Sequence, residues 1–315
     1  MRLAEQGTRP GEVEGSPGTA PQAITAAAVA SFAGCADERL RLVLQSLVRN
    51  LHRFAEEVRL TPEEWFTGIR FLTAAGHIST DARQELVLLS DTLGLSMFLD
   101  ALHHDQAGAA TESTVLGPFW AAGSPLRGYG AAIAERPAGT SAWVHGRVTD
   151  TAGAPVAGAE LDVWQNGDDQ LYAVQAPDAP EHHLRGRFRT RQDGSYAFLA
   201  VRPTAYPIPH DGPVGRMLAA TGRHPWRPAH IHLRIVAAGH QPLITHVFDS
   251  GSDYLDSDAV FAVKPSLLRV FVPRSADDPD RPPGVDGAWF AVENDLVLAP
   301  SSTEPPAAPK EDRPW

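Results

Sequence analysis

Hydrophobic spacing changes once along this chain, and that change limits what it can fold into. Before residue 106 apolar residues recur at helical intervals; from Trp143 onward they alternate every second residue. A helical part followed by many short strands predicts a mainly β chain with α: an N-terminal helical portion and a C-terminal β-sandwich.

In "ADERLRLVLQSLVRNLHRFAEEV", Leu40, Val43, Leu44, Leu47, Val48, Leu51, Phe54 and Val58 make one apolar stripe. In "TPEEWFTGIRFLTAAGHI", Thr61 and Glu64 form a capping box around Pro62, and Gly76 is the expected end of the helix. "STDARQELVLLSDTLGLSMFLDAL" reads as a third helix, broken near Gly94. Residues 106–140 are rich in Gly, Ala and Pro and read as a linker. The strands begin with "AWVHGRVTD" and "AELDVWQ", joined by the turn-rich "TAGAPVAG". "GRFRTRQDGSYAFLAV" predicts a hairpin about Asp193-Gly194. "HIHLRIVA", "PLITHVF", "LLRVFV" and "AWFAVENDLVL" follow as further strands. Residues 1–22 and 301–315 have the composition of disordered tails. The expected organisation is therefore tail 1–22, helical domain with linker 23–135, sandwich 136–300 and tail 301–315.

Composition narrows the function. The formal net charge is -11 with no basic stripe, which argues against nucleic acid or anionic membrane as partners. No apolar run reaches the roughly 20 residues of a membrane span, and no apolar signal core opens the chain, so cytoplasmic residence is expected. Cys35 is the only cysteine, which leaves no intrachain disulfide and no Cys/His zinc site. Any metal must be held by His, Tyr, Asp or Glu.

One stretch invites that question. In "WRPAHIHLRIV", strand geometry puts His230 and His232 on one face and Ile231, Leu233 and Ile235 on the other. Two same-face imidazoles can share a metal ion, or can simply be polar residues of a solvated face. No acid occurs among the seven residues after His232, so a two-histidine, one-carboxylate triad has little support. Tyrosine is the remaining ligand type, and Tyr129, Tyr172, Tyr196, Tyr206 and Tyr254 are the candidates. A phenol with a pKa near 10 ligates as phenolate only when a strong Lewis acid stabilises the anion. Hard oxygen anions combined with imidazoles suit ferric iron.

The segments "TESTVLGPFW", "LYAVQ", "YPIPHDGPVG" and "RPAHIHLRI" together resemble the intradiol ring-cleaving catechol dioxygenases, over roughly residues 30–299. Within that family, "LLSDTLGLSMFLD", "GRHPWRPAHIH" and "LITHVF" look more like the hydroxyquinol branch. The resemblance implies a non-haem Fe(III) held by Tyr172, Tyr206, His230 and His232. It implies an aromatic diol or triol and O2 as partners, with Tyr206 leaving the iron when substrate binds. Arg227 matches the arginine that supports negative charge on the ring. The substrate pocket implied is Leu88, Asp91, Val115, Leu116, Gly117, Pro118, Phe119, Ile208 and Pro209. Asp91 would face the third hydroxyl of 1,2,4-trihydroxybenzene. The helical part would join two chains in a homodimer.

Leu171, Ala173 and Trp120 depart from the residues common in the family at those places, which bears on the substrate more than on the reaction. His246, in "LITHVF", reads as a residue behind the ligands or simply as one of its strand, and not as a third imidazole ligand. Two other readings stay open: a catechol or chlorocatechol enzyme of the same mechanism, and a non-catalytic transthyretin-like module, since "GRVTDTAGAPVAGAELDVWQ" suits either.

Overall fold

In a computed structural model of the chain, residues 21–80, 83–103, 108, 110–176 and 178–301 are described. The tail segments 1–20 and 302–315 lie outside them, while Pro21 and Gln22 open the first helix. Among the described residues, five helices precede residue 104 and every strand follows residue 140: α1 (Pro21–Ala30), α2 (Glu38–Glu57), α3 (Pro62–Ile78), α4 (Glu85–Thr92) and α5 (Leu95–His103). The chain falls into two compact units that divide between Leu72 and Thr73, inside α3.

In the first unit, Asp37 caps α2 by accepting the Leu40 N–H, and Thr61 with Glu64 closes the expected capping box of α3. α1 lies on α2, where the Gln45 amide donates to the Val29 carbonyl. The apolar stripe of α2 stays open: Leu47, Leu51, Phe54 and Val58 are each about half exposed. Gly76 does not end α3. Its φ is not left-handed, and the helix runs on to Ile78, where the Ser79 hydroxyl donates to the Ala75 carbonyl.

In the second unit the expected third helix is two. Gly94 takes φ +76°, and α4 and α5 meet there at 71°. Twelve strands follow among the described residues: β1 (Ser141–Asp150), β2 (Glu160–Trp164), β3 (Arg185–Arg189), β4 (Ser195–Val201), β5 (Tyr206–Pro207), β6 (Trp226–Arg227), β7 (His230–Val236), β8 (Leu243–Asp249), β9 (Leu268–Arg269), β10 (Val272–Arg274), β11 (Trp289–Glu293) and β12 (Leu296–Leu298). An eight-residue helix, α6 (Pro213–Ala220), interrupts them, and Glu85 caps it from α4 by accepting the Val214 N–H. β4, β1, β11 and β10 make one sheet, with β12 continuing β11 in the same register along β1. The second sheet runs β3-β2-β7-β8-β9, and β5 pairs with β6.

Val144, Val148, Phe198 and Val292 from the first sheet meet Leu161, Val163, Phe188, Ile231, Leu233 and Val247 from the second. That dry interior is the sandwich core. Three strand expectations change. The turn at Gly194 is real, with φ +76° and the Gly194 N–H donating to the Arg191 carbonyl, but β3 pairs with β2 and β4 with β1. It carries the chain from one sheet to the other and closes no hairpin, because each strand's apolar face finds its partner across the core. "LLRVFV" likewise splits into β9 and β10 in opposite sheets. "AWFAVENDLVL" breaks at Asn294, whose carbonyl sits against Gly146, where any Cβ would overlap it.

Candidate metal centre

Because Ile231, Leu233 and Ile235 enter the core, His230 and His232 project from the outer face of the second sheet. That face is closed too, and both rings are buried. The register of the sheet supplies their neighbours. Trp164 on β2 lies across from His232 and stacks on it at 4.7 Å between centroids. His246 on β8 lies across on the other side, with Nε2 2.8 Å from His232 Nδ1.

The tyrosines arrive from outside the sheet. Tyr172 stands at the start of a short 3-10 turn, and its backbone N–H donates to Gln175 Oε1 at 3.1 Å. Tyr206 sits on β5 opposite Arg227 on β6, so one ladder rung sets phenol and guanidinium side by side. The remaining tyrosines are placed elsewhere: Tyr196 donates to the Asn294 carbonyl, Tyr254 stacks on Trp226, and Tyr129 lies under the Arg191 guanidinium.

The structure therefore brings the four expected side chains to one place. His230 Nε2 is 3.1 Å from His232 Nε2 and 3.4 Å from the Tyr172 hydroxyl. Arg227 Nη1 is 3.4 Å from the Tyr206 hydroxyl, to which it donates, and 3.3 Å from His230 Nε2. The rings of Tyr172 and Tyr206 meet edge to face at 5.3 Å. Donors each about 2 Å from one ion and about 90–110° apart stand roughly 3 Å from one another, which is the spacing found.

The electrostatics agree. Burial first, and then the Arg227 charge, holds His230 well below the usual imidazole pKa. Burial and the neighbouring His230 do the same to His232, so both rings are neutral near pH 7 with lone pairs to give. His230 Nδ1 faces the Pro228 carbonyl at 2.7 Å; a neutral ring that donates there leaves Nε2 as the lone pair. Burial, with Tyr206 adding to it, pushes the Tyr172 phenol well above its ordinary value. It can become phenolate only beside a strong cation, so the donor set fits a Lewis-acidic metal. His246 also lies close enough to be counted with the two ligands, and its own pKa is held well down by burial. Its Nε2 is engaged with His232 Nδ1, which places it behind that ring rather than at the tyrosines.

The expected pocket residues divide between two cavities of the second unit. Leu88, Pro118, Phe119, Ile208 and Pro209 line one of about 410 Å³, together with Arg83, Glu85 and Asp211. Asp91, Val115, Leu116 and Gly117 line another of about 460 Å³. Phe119 links the first cavity to the centre by stacking on Tyr172 at 4.6 Å. Gly117 backs the second: its φ is +73°, and a Cβ there would come within 3.3 Å of His232 Cε1. Asp91 is buried, and desolvation raises its pKa against the opposing pull of Ser96 and Arg227.

Three neighbours escaped sequence reasoning. Trp164 in "AELDVWQ" and Gln175 in "LYAVQ" carry no ligand signal. Asp258, which pairs with Arg227, lies 31 residues away from it in a loop without pattern.

A β-sandwich with a buried cluster of imidazoles and phenols on an outer sheet face is the framework of a non-haem metal enzyme. Known proteins say which kind. Residues 115–298 match a family described as "Dioxygenase", and residues 37–111 match "Catechol dioxygenase N terminus". Hydroxyquinol 1,2-dioxygenase of Nocardioides simplex is 51% identical over 278 residues, covering 86% of this chain and 92% of that protein. Catechol 1,2-dioxygenase of Candida albicans is 38% identical over 286 residues, covering 90% and 93%. The solved structure of hydroxyquinol 1,2-dioxygenase from Pseudomonas putida DLL-E4 superposes with a TM-score of 0.84 at 48% identity, covering 89% of this chain and 99% of that one. The chain belongs to the intradiol ring-cleavage dioxygenases. The family is iron-dependent, and the buried histidine cluster supplies donors for such an ion. Matches to both the helical part and the sandwich overturn the alternative of a non-catalytic transthyretin-like module.

Proposed function

We propose that this chain opens hydroxyquinol, 1,2,4-trihydroxybenzene, between its adjacent hydroxyls, using a non-haem Fe(III) held by Tyr172, Tyr206, His230 and His232. Both atoms of O2 end in the product, 3-hydroxy-cis,cis-muconate, which is the enol form of maleylacetate. The observation that carries this reading is the convergence of four buried side chains, with His230 Nε2 3.1 Å from one ligand atom and 3.4 Å from another. When bound, ferric iron supplies the Lewis acidity that ionises phenols near neutral pH and makes a chelated diol reactive toward O2.

The residues do the rest. His230 and His232 give neutral lone pairs because their second nitrogens are engaged by Pro228 and His246. Tyr206, beside Arg227, would hold the ion as phenolate and, once exchanged for substrate, could take up a substrate proton at its oxygen. Arg227 is the cation that supports negative charge on the ring. Leu88, Pro118, Phe119, Ile208 and Pro209 hold the flat ring, and Val115, Leu116 and Gly117 close its other side. Asp91 accepts from the third hydroxyl and penalises a ring that lacks one.

The reading extends to a cytoplasmic homodimer. The stripe of Leu47, Leu51 and Phe54, half exposed in a single chain, supports joining through the N-terminal helices. No single described helix is long and apolar enough to cross a membrane.

The purified protein should be red-brown from tyrosinate-to-iron charge transfer, and Tyr172→Phe should bleach or shift the band and lower turnover by at least about 100-fold. Initial rates on hydroxyquinol, catechol and a chlorocatechol decide the substrate. Fastest cleavage of catechol or chlorocatechol replaces the hydroxyquinol assignment, and a colourless, iron-free but active protein removes the metal assignment.

A further inference from the structure

We infer that Asp258 is the positioning residue of this centre: it holds Arg227 by one edge so that the free edge is aimed at Tyr206 and His230. The role in catalysis rests on the function proposed above; the geometry does not.

Arg227 and Asp258 are both buried, with side chains 3% and 2% exposed. A guanidinium is planar, with donors on three nitrogens in a fixed fork, so fixing two of them directs the third. Nε donates to Asp258 Oδ1 at 3.1 Å and Nη2 to Oδ2 at 3.4 Å. Nη1 is the nitrogen left over, and it lies 3.4 Å from the Tyr206 hydroxyl and 3.3 Å from His230 Nε2. β6 is only two residues long and cannot by itself fix so long a side chain.

Asp258 is anchored in turn. Oδ1 accepts the Val260 N–H at 3.3 Å and Oδ2 the Ala262 N–H at 3.0 Å. The loop that carries it is tied to the strand that carries Arg227, since the Ala259 N–H donates to the Trp226 carbonyl at 3.1 Å. From the opposite side Arg223 donates to the Ala259 carbonyl at 3.0 Å. Every oxygen of the carboxylate thus has a guanidinium donor and a backbone donor. That is more restraint than a surface ion pair needs, and it matches a part that fixes direction. A buried guanidinium also tolerates the loss of its carboxylate badly, so removing Asp258 should move Arg227 rather than leave it unpaired in place.

The test compares Asp258→Asn, Asp258→Glu, Arg227→Leu and the Asp258→Asn/Arg227→Leu double variant with the parent protein. Iron-loaded Asp258→Asn should keep its iron, lose on the order of tenfold or more in kcat with little change in KM, and show a shifted tyrosinate band, because Nη1 no longer donates to Tyr206. Asp258→Glu keeps the charge and should recover part of both. The double variant should be no slower than Arg227→Leu alone, since Asp258 acts through the arginine. In crystals of the metal-free Asp258 variants, Nη1 should leave Tyr206 and His230. The inference is overturned by an unmoved Arg227, by an unchanged band, or by losses that multiply in the double variant. If Asp258→Asn does not fold, Asp258→Glu carries the same readouts, with an unmoved arginine and an unchanged band as the contrary result. Absence of ring cleavage in the parent protein sinks the function proposal instead, and the crystallographic comparison still decides the role of Asp258.

Discussion

At the scale of single residues, two positions around the centre carry distinct burdens. Asp91 is a buried acid whose pKa burial raises, beside a cavity with Val115, Leu116 and Gly117. If it faces the third ring hydroxyl, Asp91→Ala should narrow the hydroxyquinol-to-catechol ratio of kcat/KM by roughly tenfold, the worth of one hydrogen bond to a charged or strongly polar group. An unchanged ratio removes Asp91 from substrate selection. Gly117 is constrained twice, by a left-handed φ of +73° and by His232 Cε1 at 3.3 Å from the place of a Cβ. Gly117→Ala should cost about 1–2 kcal/mol of stability from the backbone alone. It should also weaken iron binding by displacing His232, which chelator competition would measure. Retained iron affinity with lowered stability would confine Gly117 to the backbone.

At the scale of elements, the pairing of strands decides which side chains meet. β7 alternates as its sequence says, and its neighbours β2 and β8 bring Trp164 and His246 to the two sides of His232. The two-residue ladder of β5 with β6 brings Tyr206 to Arg227. Neither partnership is written in the strands themselves, because alternation names a face and leaves the partner open. The Asp193-Gly194 turn teaches the same lesson: its chemistry was legible, its role as a step between sheets was not. Helix α2 raises the remaining question at this scale, since its stripe is apolar and uncovered within one chain. If that stripe joins two chains, Leu51→Glu should convert a particle of twice the chain mass to the single-chain mass in analytical ultracentrifugation. A parent protein already at the single-chain mass overturns the dimer.

At the scale of the whole molecule, burial of the centre links stability to pH. His230, His232 and His246 are neutral in the fold because their pKa values lie well below the ordinary 6.5, chiefly from burial. In the unfolded chain they bind protons as pH falls below about 6.5. The unfolded state then holds more protons than the native one, so stability declines with acidification from there downward and is full above it. Each imidazole contributes at most about 1.4 kcal/mol per pH unit. Asp91, with its pKa raised above 3.8, acts in the opposite sense at lower pH. The denaturation midpoint of metal-free protein in urea should therefore drop between pH 7 and pH 5.5, and His246→Gln should make the drop shallower. A flat profile would mean that these rings are not protonated on unfolding.

The sequence by itself determined the order of helices and strands, the capping box at Thr61, the break at Gly94 and the faces of β7. These depend on near neighbours, whose spacing fixes periodicity and whose backbones fix turns. Its likeness to a known family named Tyr172, Tyr206, His230 and His232 as ligands and Arg227 beside them. Only the tertiary structure decided that β3 and β4 enter different sheets, that the pocket residues divide between two cavities, and that Asp258 grips Arg227. Those outcomes rest on groups far apart in the chain, such as Glu85 and the Val214 N–H it caps, 129 residues on. Such pairs form only where packed apolar faces bring them together, and no local pattern encodes which faces will meet.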